Sequence, residues 1–450
     1  MPELFGTDGV RGVANRSPMT PHEVLRLGQA AGRWLGSTGR TGPVLIGRDT
    51  RLSGPMIEAA LVAGLTSAGV PVMLGGVLPT PAVSFATRHM GLAAGAVVSA
   101  SHNPYEDNGV KFFLANGGKL SEDNEDAIEA LLAEDPAGLL AAGDAVGTVS
   151  VSRGLLQAYI AHAVATAAGP GALSGWAVVC DCANGAASRS TPAALRRLGA
   201  KVFAFHTRPD GTNINRGCGS LHFEVVRRAV LARPGAVGIS HDGDADRVLM
   251  CDEAGELVDG DRMMGVLARD MVGRSALPGG VLVATILSNA GLEEALEPLG
   301  VRVARAQVGD RKVADEMARL GAAVGGEPSG HIILAQNGPT GDGLLTALAV
   351  LGIAARTRTT LHELASLVRL YPQHSGAVRI ARKPPLEQLE PVSAAIRHAR
   401  EQVAPRGRVV VRYSGTEPVA RVLVEGPEAE LVRSLGQQIE NALRGAIGAE

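Results

Sequence analysis

Apolar residues along most of the chain fall into short runs that alternate with stretches of helical periodicity. The runs predict β-strands at 43–47, 70–74, 94–99, 176–180, 201–205, 237–240 and 280–285. The intervening stretches predict helices at 56–68, 155–168, 193–198, 263–272, 292–299 and 344–355. Strands that alternate with helices in this way indicate α/β domains with mostly parallel sheets.

The pattern restarts near residue 151 and again near 256, and it changes after residue 370. The C-terminal part predicts a helix at 392–403, strands at 408–413 and 420–425, and a final helix at 428–446, which indicates an α+β domain. We therefore predict three related α/β domains at 1–150, 151–255 and 256–370, followed by an α+β domain at 371–450.

The composition is that of a folded globular protein with an aliphatic core. Hydrophobic residues make up 46% of the 450 residues and charged residues 20%, which excludes disorder of the whole chain. Aromatic residues are only 3%, so Ala, Val, Leu and Ile must fill the core. The 58 glycines occur in clusters without a three-residue period, which excludes collagen and indicates functional loops.

Charge and cysteine content narrow the class of protein further. The 43 basic and 45 acidic residues leave a formal charge of −2, which argues against broad capture of nucleic acid but leaves a local anion site open. No apolar stretch reaches about 18 residues and the N-terminus lacks a signal-peptide pattern, so we predict a cytoplasmic protein without a membrane span. The four cysteines lack the paired spacing of a zinc site and are predicted to be reduced thiols.

The sequence SASHNP at 99–104 follows a predicted strand, so Ser101 and His102 lie in a strand-end loop, where ligands of α/β sheets commonly bind. A serine can accept a phosphoryl group when a base removes its proton and cations neutralise the transferring oxygens. The alternative is an ordinary polar turn. A Ser-His-Asp hydrolase is disfavoured because the Gly-x-Ser-x-Gly nucleophile elbow is absent.

The sequence HDGDADR at 241–247 directly follows another predicted strand. Asp242, Asp244 and Asp246 alternate, so their carboxylates can converge on one side of an extended loop. At about 4 Å, each pair of like charges costs roughly 4 kcal/mol at an effective dielectric constant of about 20, which favours a bound cation. Ligands that are all oxygen indicate Mg²⁺, Ca²⁺ or Mn²⁺.

Other interpretations of this acidic loop have to be weighed. An EF-hand would place Gly where Arg247 stands and a helix where the strand is predicted, so we reject it. A phosphatase with an aspartyl nucleophile also carries Asp-x-Asp after a strand and stays open on this segment alone. A surface turn without metal is the remaining alternative.

Two glycine-containing turns in the second half could bind a sugar and a phosphate. In GGEPSGH at 325–331, Glu327, Ser329 and His331 alternate and offer donors and acceptors for sugar hydroxyls. In RYSGTEP at 412–418, hydroxyl and backbone N–H donors lie between two predicted strands, with Arg412 and Arg421 supplying positive charge for an anion. A solvated turn and a plain hairpin are the respective alternatives.

Two further segments carry cations that could reach a phosphate. FGTDGVRG at 5–12 places Arg11 among glycines, where its planar fork could hold phosphate oxygens. NGVK at 108–111 places Lys111, one of only five lysines, just after the Ser101 loop. Lys111 is therefore a candidate point charge or proton carrier, and a solvated surface lysine is the alternative.

Taken together and in this order, these motifs resemble the α-D-phosphohexomutase superfamily over essentially the whole chain. The segments that carry the resemblance are FGTDGVRG, SASHNP, DGDADR, GEPSGH and RYSGTEP, supported by DCANGAA at 181–187, INRGCGSLH at 214–222 and TGDG at 340–343. Two positions depart from the common pattern. Ser99 replaces a frequent Thr and Tyr413 a frequent Pro, and neither is a proposed ligand.

The resemblance implies four domains around one central cleft and a mutase reaction. The reaction interconverts glucosamine 6-phosphate and glucosamine 1-phosphate, on the route to UDP-N-acetylglucosamine and the cell wall. It implies a phosphorylated Ser101, one Mg²⁺ ion and glucosamine 1,6-bisphosphate as intermediate and activator. The expected partner is a small phosphosugar, with no nucleic acid or membrane, and the oligomeric state stays open between monomer and homodimer.

The resemblance also implies roles for residues in all four predicted domains. Catalysis would involve Ser101, His102, Lys111, Arg11 and His331. The metal would be held by phosphorylated Ser101 with Asp242, Asp244 and Asp246. The substrate would be bound by Arg247, Glu327, Ser329, Arg412, Ser414, Gly415, Thr416 and Arg421.

Three alternative functions stay open at the level of sequence. A phosphomannomutase or phosphoglucomutase would have the same architecture, because the sequence does not decide which group at sugar C2 is recognised. A Mg²⁺-dependent phosphatase would use the acidic loop but would leave Ser101 and the loop at 412–418 unexplained. A phosphosugar-binding protein without catalysis would need neither Ser101 nor the aspartates.

Overall fold

The computed structural model describes residues 4–6, 8–167, 169–414 and 418–448, whose strands form four sheets. The first domain contains β1 (Val10–Val13), α1 (Pro21–Ser37), β2 (Val44–Arg48), α2 (Gly54–Ser67), β3 (Val72–Val77), α3 (Thr80–His89), β4 (Ala94–Val98), β5 (Asp107–Leu114), α4 (Glu122–Leu132) and β6 (Val149–Val151). Its strand order is β1-β5-β4-β2-β3-β6. The strands β2, β3, β4 and β6 run parallel, and β5 is antiparallel to both of its neighbours.

The second domain repeats this architecture with a five-stranded sheet in the order β11-β10-β9-β7-β8. Its elements are α5 (Leu155–Thr166), β7 (Ala177–Asp181), α6 (Ala187–Arg197), β8 (Lys201–Phe205), α7 (Phe223–Leu231), β9 (Ala236–His241), β10 (Val248–Cys251) and β11 (Leu257–Val258). The strands β7, β8 and β9 are parallel, whereas β10 folds back antiparallel to β9. The sheet is therefore mixed, as in the first domain.

The third and fourth domains have smaller sheets. The third contains α8 (Gly260–Gly273), β12 (Val281–Thr285), α9 (Ala290–Leu296), β13 (Arg302–Ala306), α10 (Asp310–Leu320), β14 (Val324–Gly326), β15 (Ile332–Leu334), α11 (Gly343–Thr357) and α12 (Leu361–Ala365), with strand order β13-β12-β14-β15. The fourth contains β16 (Gln373–Arg379), α13 (Glu390–Val403), β17 (Arg408–Tyr413), β18 (Val419–Glu425) and α14 (Ala429–Ile447). Its three strands are antiparallel, in the order β16-β18-β17.

The burial of the central strands explains where the site loops start. β4 (AGAVV) and β9 (AVGISH) are buried along their whole length, in the interior of the first and second sheets. Strands covered on both faces read as nearly continuous apolar runs, which is why both are predicted from the sequence. The chain leaves each sheet at the carboxyl end of these strands, where α/β folds bind ligands.

The cores of the domains are not equally separate. One cluster of buried apolar side chains runs from Leu45 and Val83 in the first domain through Val178 in the second to Leu348 in the third. The fourth domain has its own cluster, which packs α13 and α14 against its three strands. Among the described residues, no helix has both the length and the apolar character needed to cross a membrane.

The structure confirms the predicted fold class, three α/β domains followed by an α+β domain, and corrects several elements. Helix α6 begins at Ala187, six residues before the predicted start, and carries Pro192 inside it. The fourth domain has three strands where the sequence predicts two. The additional strand β16 is rich in polar residues, and its Gln373 and His374 contact Glu425 and Glu440. β5 is another of the strands that the sequence does not predict, and its Lys111 faces Asp8 and Asp244. The predicted domain boundaries remain predictions.

Candidate active site

Ser101 lies in the loop after β4, with its side chain buried and its backbone in the left-handed region (φ 49°). Its Oγ donates a hydrogen bond of 2.6 Å to Asp242 Oδ2 and lies 3.4 Å from His102 Nδ1. The backbone N–H of Ser101 donates to Ser99 Oγ at 2.9 Å. The hydroxyl that the sequence predicts to be a nucleophile is therefore held against the acidic loop of the second domain.

The acidic loop between β9 and β10 brings three carboxylates together. Asp242, Asp244 and Asp246 are all buried, and one carboxylate oxygen of each lies within 4.8 Å of one from each of the others. Among the described residues, Asp244 Oδ1 and Asp246 Oδ1 are buried without a hydrogen-bond donor. Buried carboxylate oxygens that lack donors at this spacing match the all-oxygen ligand set of Mg²⁺, so the residues present fit a divalent cation.

The three carboxylates differ in their electrostatic surroundings. Burial raises the pKa of Asp242, and the charges of Asp246 and Asp244 raise it further. Burial, together with Asp244, also raises the pKa of Asp246. Burial acts the same way on Asp244, but Lys111 and a 2.7 Å hydrogen bond from Thr80 Oγ1 outweigh it and lower its pKa. The first domain therefore supplies the two groups that keep Asp244 ionised.

Lys111 lies on β5 with only 2% of its side chain exposed, which excludes a solvated surface lysine. Its Nζ lies 2.7 Å from Asp8 Oδ2, 3.1 Å from Asp244 Oδ2 and 3.8 Å from Asp246 Oδ2. Burial disfavours its charge, but the carboxylates of Asp244 and Asp8 outweigh burial and raise the pKa of Lys111. Lys111 therefore places a positive charge directly beside the acidic loop.

Asp8 extends this network of charges to the third domain. Its carboxylate pairs with Arg11 and with Lys119, and Lys119 Nζ pairs in turn with Asp310 at the start of α10. Asp310 Oδ2 lies 3.4 Å from His331 Nε2. Arg11 and His331 are thus brought into the same site, although they come from different domains and stand 320 positions apart in the sequence.

The two candidate histidines occupy different environments. Burial, together with the positive charges of Arg247 and Arg11, lowers the pKa of His102 to about 4. His102 is therefore neutral near pH 7 and can accept a proton. His331 is 1% exposed, and its Nε2 lies 3.9 Å from Asp246 Oδ2 and 3.4 Å from Asp310 Oδ2.

The glycine-rich loop between β14 and β15 presents Glu327 and Ser329. Glu327 Oε1 accepts the backbone N–H of Gly309 at 3.0 Å, and Glu327 Oε2 accepts a hydrogen bond of 3.2 Å from Ser329 Oγ. These bonds fix the carboxylate and the hydroxyl side by side. A carboxylate acceptor next to a hydroxyl suits the vicinal hydroxyls of a sugar ring.

The fourth domain presents two arginines on neighbouring strands. Arg412 on β17 and Arg421 on β18 are direct partners in the antiparallel register. Burial, together with the charge of Arg421, lowers the pKa of Arg412. Two cations placed side by side repel each other, so an anion between them would relieve the repulsion. Ser414 is buried at the start of the intervening loop, and the predicted ligands Gly415 and Thr416 lie outside the described residues.

Side chains from all four domains face one cleft of about 560 Å³. The lining residues that the sequence predicts for the site are His102, Arg247, Glu327, Ser329, Arg412 and Arg421. The cleft is therefore lined by arginines of the second and fourth domains, by Glu327 and Ser329 of the third, and by His102 from the Ser101 loop of the first. Such an arrangement suits a small polar ligand that carries phosphate groups.

Several side chains of this site have a role that the sequence pattern did not predict. Thr80 binds Asp244, Asp8 and Lys119 extend the charge network, and Arg51 donates to backbone carbonyls of the Ser101 loop. Lys119 is another of the five lysines, so the scarcity of lysine that draws attention to Lys111 applies to it equally. Arg51 follows the predicted strand 43–47, so its position at a strand end was the available signal.

Comparison with known proteins agrees with this architecture domain by domain. The chain matches the phosphoglucomutase/phosphomannomutase family in its alpha/beta/alpha domain I over residues 2–137 and domain II over 157–255. It matches alpha/beta/alpha domain III over residues 259–371 and the C-terminal domain over 377–442.

Solved structures share the fold over the full length. A phosphoglucomutase/phosphomannomutase family protein from Burkholderia thailandensis superposes with a TM-score of 0.83 at 23% identity, covering 99% of this chain and 97% of that one. The N-acetylphosphoglucosamine mutase of Aspergillus fumigatus, solved with GlcNAc-6P and magnesium, gives a TM-score of 0.68 at 19% identity, with 99% and 96% covered.

A closer relationship is found in sequence. The phosphoglucosamine mutase of Moorella thermoacetica is 48% identical over 446 residues, which is 99% of this chain and 98% of that protein. The identity of 48% extends over 99% of this chain, and each of its four domains matches the same family. The chain therefore belongs to the phosphoglucosamine mutases, within the phosphoglucomutase/phosphomannomutase family.

Proposed function

We propose that this protein interconverts glucosamine 6-phosphate and glucosamine 1-phosphate through a phosphorylated Ser101. The observation that carries the proposal is the 2.6 Å hydrogen bond from Ser101 Oγ to Asp242 Oδ2, beside His102, which lines the same cleft as Arg412 and Arg421. A nucleophile beside an acidic metal-type loop can exchange a phosphoryl group. A separate pair of arginines can hold a second phosphate at the same time.

The proposed cycle conserves both phosphoryl groups. The phosphoryl group on Ser101 passes to O1 of glucosamine 6-phosphate. The bond from phosphorus to Oγ breaks, the bond to O1 forms, and the proton lost by the O1 hydroxyl is balanced by protonation of Ser101 Oγ, which gives this proton up again when it is rephosphorylated. The resulting 1,6-bisphosphate turns over in the cleft. Its O6 phosphoryl group then passes to Ser101, O6 takes up a proton, and glucosamine 1-phosphate leaves. In each half of the cycle, the phosphate that is not being transferred binds at a separate place, the distal site, and either phosphate must fit there. This requires a phosphate-binding loop separate from the nucleophile.

One Mg²⁺ ion would be held by Asp242, Asp244 and Asp246 together with the phosphate on Ser101. When bound, it would neutralise the negative charge on the transferring phosphoryl oxygens. Lys111, buried between Asp8 and Asp244, would add a fixed positive charge to the same place. The carboxylate oxygens without donors described above support this assignment.

The other side chains would position the sugar and move its proton. His102, 3.4 Å from Ser101 Oγ and lining the cleft, is placed to exchange a proton with the reacting hydroxyl, with His331 and Lys111 as the other groups that could assist. Glu327 and Ser329 would bind sugar hydroxyls, and Arg11 and Arg247 would contact the reacting phosphate. Arg412, Ser414, Gly415, Thr416 and Arg421 would hold the phosphate that is not being transferred.

The proposal is tested by following glucosamine 6-phosphate with a coupled assay for glucosamine 1-phosphate, with intact-mass analysis of the protein alongside. We expect mutase turnover, a mass increase of one phosphate that maps to the segment 99–111, and loss of both in Ser101→Ala. Specificity constants for glucose 6-phosphate and mannose 6-phosphate, measured in parallel, would be lower than for the amino sugar. Net release of inorganic phosphate without isomerisation would instead support a phosphatase.

A further inference from the structure

We propose that Asn215, in the second domain, is a positioning residue for Ser101. The inference rests on the proposed function, because it gives Asn215 a part in phosphoryl transfer at that serine. Asn215 Nδ2 donates hydrogen bonds to the carbonyl oxygens of Ser101, at 2.8 Å, and of Asn103, at 3.0 Å. The side chain is buried and lies more than 110 positions away in sequence, so both bonds cross from one domain to the other.

The same two carbonyl groups are held from the first domain by Arg51. Its Nη2 donates to Ser101 O and to Asn103 O, both at 2.9 Å, and its Nε is fixed by Asp49 Oδ2 at 2.8 Å. Each carbonyl oxygen thus accepts one hydrogen bond from each domain, which satisfies both of its lone pairs. The nucleophile loop is clamped between a buried guanidinium and a buried amide.

The clamp includes two residues in the left-handed backbone region. Ser101 has a φ of 49°, which a serine holds only when its surroundings impose it, whereas Asn215, with a φ of 58°, is of a residue type that adopts this region readily. The acidic loop packs against the same carbonyl, since a Cβ at Gly243 would lie 2.6 Å from Ser101 O and 3.0 Å from Asn215 Nδ2. Ser101 O is therefore the point at which the nucleophile loop, the acidic loop and Asn215 meet.

This geometry predicts that Asn215 controls the rate of transfer more than the binding of substrate. Without its two donors, the loop would keep Arg51 but lose its link to the domain that carries Asp242. Reacting groups that are misplaced by about 1 Å can lose about a hundredfold in rate. The sugar-binding and distal phosphate groups belong to the third and fourth domains, so their contacts should persist.

The test compares Asn215→Gly and Asn215→Asp with the unmodified protein. Glycine removes the donors while tolerating positive φ, and aspartate keeps the shape but offers only acceptors. Asn213→Asp is the matched control, because Asn213 lies in the same loop and its amide donates within that loop, to Arg208 O at 3.0 Å. Steady-state kinetics on glucosamine 6-phosphate, rephosphorylation of Ser101 by glucosamine 1,6-bisphosphate followed by intact mass, and thermal unfolding are measured for all four proteins.

We expect both Asn215 variants to lose about tenfold to a hundredfold in kcat and in the rephosphorylation rate, with KM within about twofold and Asn213→Asp unchanged. Thermal unfolding shows which variants are folded, and the kinetics of either folded Asn215 variant test the inference. Unchanged kcat in a folded Asn215 variant, or a rise in KM alone, would overturn the inference. Absence of mutase turnover in the unmodified protein would instead count against the proposed function.

Discussion

Lys111 Nζ lies 3.1 Å from Asp244 Oδ2, so a lysine of the first domain forms a buried ion pair with the acidic loop of the second. The same ammonium lies 2.7 Å from Asp8 Oδ2 and 3.8 Å from Asp246 Oδ2. This ion pair has two consequences that can be measured separately. The lysine neutralises charge that would otherwise attract a cation, and under the proposed function it adds positive charge where phosphoryl oxygens would pass.

Replacing this lysine should therefore move metal affinity and turnover in opposite directions. In Lys111→Met the acidic loop loses a neighbouring positive charge worth roughly 4 kcal/mol at about 4 Å, so Mg²⁺ should bind at least about tenfold more tightly. Mutase kcat should fall by about a hundredfold, because one of the charges that stabilise the transition state is gone. Isothermal titration with Mg²⁺ and the coupled assay test the two effects.

The matched control for this change is Lys201→Met, which alters an exposed lysine on β8 and should leave both quantities unchanged. Removing one partner of a buried pair typically costs about 3–5 kcal/mol of stability, so the unfolding temperature of Lys111→Met should also fall. Weaker Mg²⁺ binding in a folded Lys111→Met protein would contradict the interpretation of Lys111 as a competing charge.

Asp244→Asn should make the protein nearly inactive without unfolding it. The amide retains an oxygen that can accept from Thr80 Oγ1, which lies 2.7 Å away, but it removes one of the charged ligands that we propose for the metal. We expect mutase activity to fall by at least about a hundredfold and Mg²⁺ affinity to fall with it. Activity at increasing Mg²⁺ concentrations after treatment with a chelator measures both, and Asp126→Asn, at an exposed position of α4, is the control. Full activity of chelator-treated protein in metal-free buffer would refute the metal assignment.

Arg412→Ala should weaken binding of the phosphate that is not being transferred. A charge-assisted hydrogen bond contributes about 1.5–3 kcal/mol, so the Michaelis constant for glucosamine 6-phosphate should rise about tenfold to more than a hundredfold. The bisphosphate should also escape into solution more often, because the distal site holds it while it turns over. Phosphorylation of Ser101 should be retained. Arg433→Ala, exposed on α14, is the control, and unchanged affinity together with unchanged release of bisphosphate would reduce this loop to a plain hairpin.

Asp342 should make stability depend on pH. It caps α11 by accepting Leu345 N at 2.9 Å, and it accepts the Tyr159 hydroxyl at 2.8 Å and 2.9 Å on its two oxygens. Burial is the main cause that raises its pKa from 3.8 to about 6. The folded state thus binds this proton more tightly than the unfolded state, so the resulting stabilisation is full below the unfolded pKa and is lost as pH rises through about 6.

Asp342→Asn keeps an acceptor oxygen for both bonds and is neutral at every pH. Its melting temperature relative to the unmodified protein should therefore be higher at about pH 7.5 than at about pH 4. Thermal unfolding of both proteins across this range gives the difference directly. A difference that does not change with pH would show that this carboxyl is not perturbed by its burial.

Local patterns predicted eight of the fourteen α-helices and nine of the eighteen strands that the described residues form, because the helical and extended periods are properties of consecutive residues. The predicted strand 201–205 coincides with β8 (Lys201–Phe205), and the predicted strand 408–413 coincides with β17 (Arg408–Tyr413). β5 (DNGVKFFL) was not predicted, because its first five residues include Asp107, Asn108 and Lys111 where a buried strand usually carries apolar residues. Asn108 and Lys111 are buried with polar partners, since Asn108 Nδ2 donates to Ser53 Oγ at 2.9 Å and Lys111 pairs with Asp8 and Asp244.

For the motif loops as well, the local sequence predicts the loop but not its contacts with distant residues. Each is recognisable on its own stretch of chain, and the position of SASHNP and HDGDADR after a predicted strand indicates that these two loops face a ligand. The carboxylates that pair with Lys111 lie far from it in the sequence, and Asn215 and Arg51 donate to backbone carbonyl groups of the Ser101 loop. No local sequence pattern encodes such contacts. They follow only from the packing of one domain against another.

By itself, the sequence determined the fold class, the family resemblance and the motif residues that face the cleft, since these depend on local periodicity and on the chemistry of contiguous segments. The tertiary structure decided that Lys111 is buried between two carboxylates, that burial and nearby cations lower the pKa of His102 to about 4, and that Asn215 bonds to the Ser101 loop. Burial and distance decide such properties, because removing water strengthens every charge interaction and hydrogen bond that it encloses. Both quantities arise only when residues separated by a hundred or more positions are packed together.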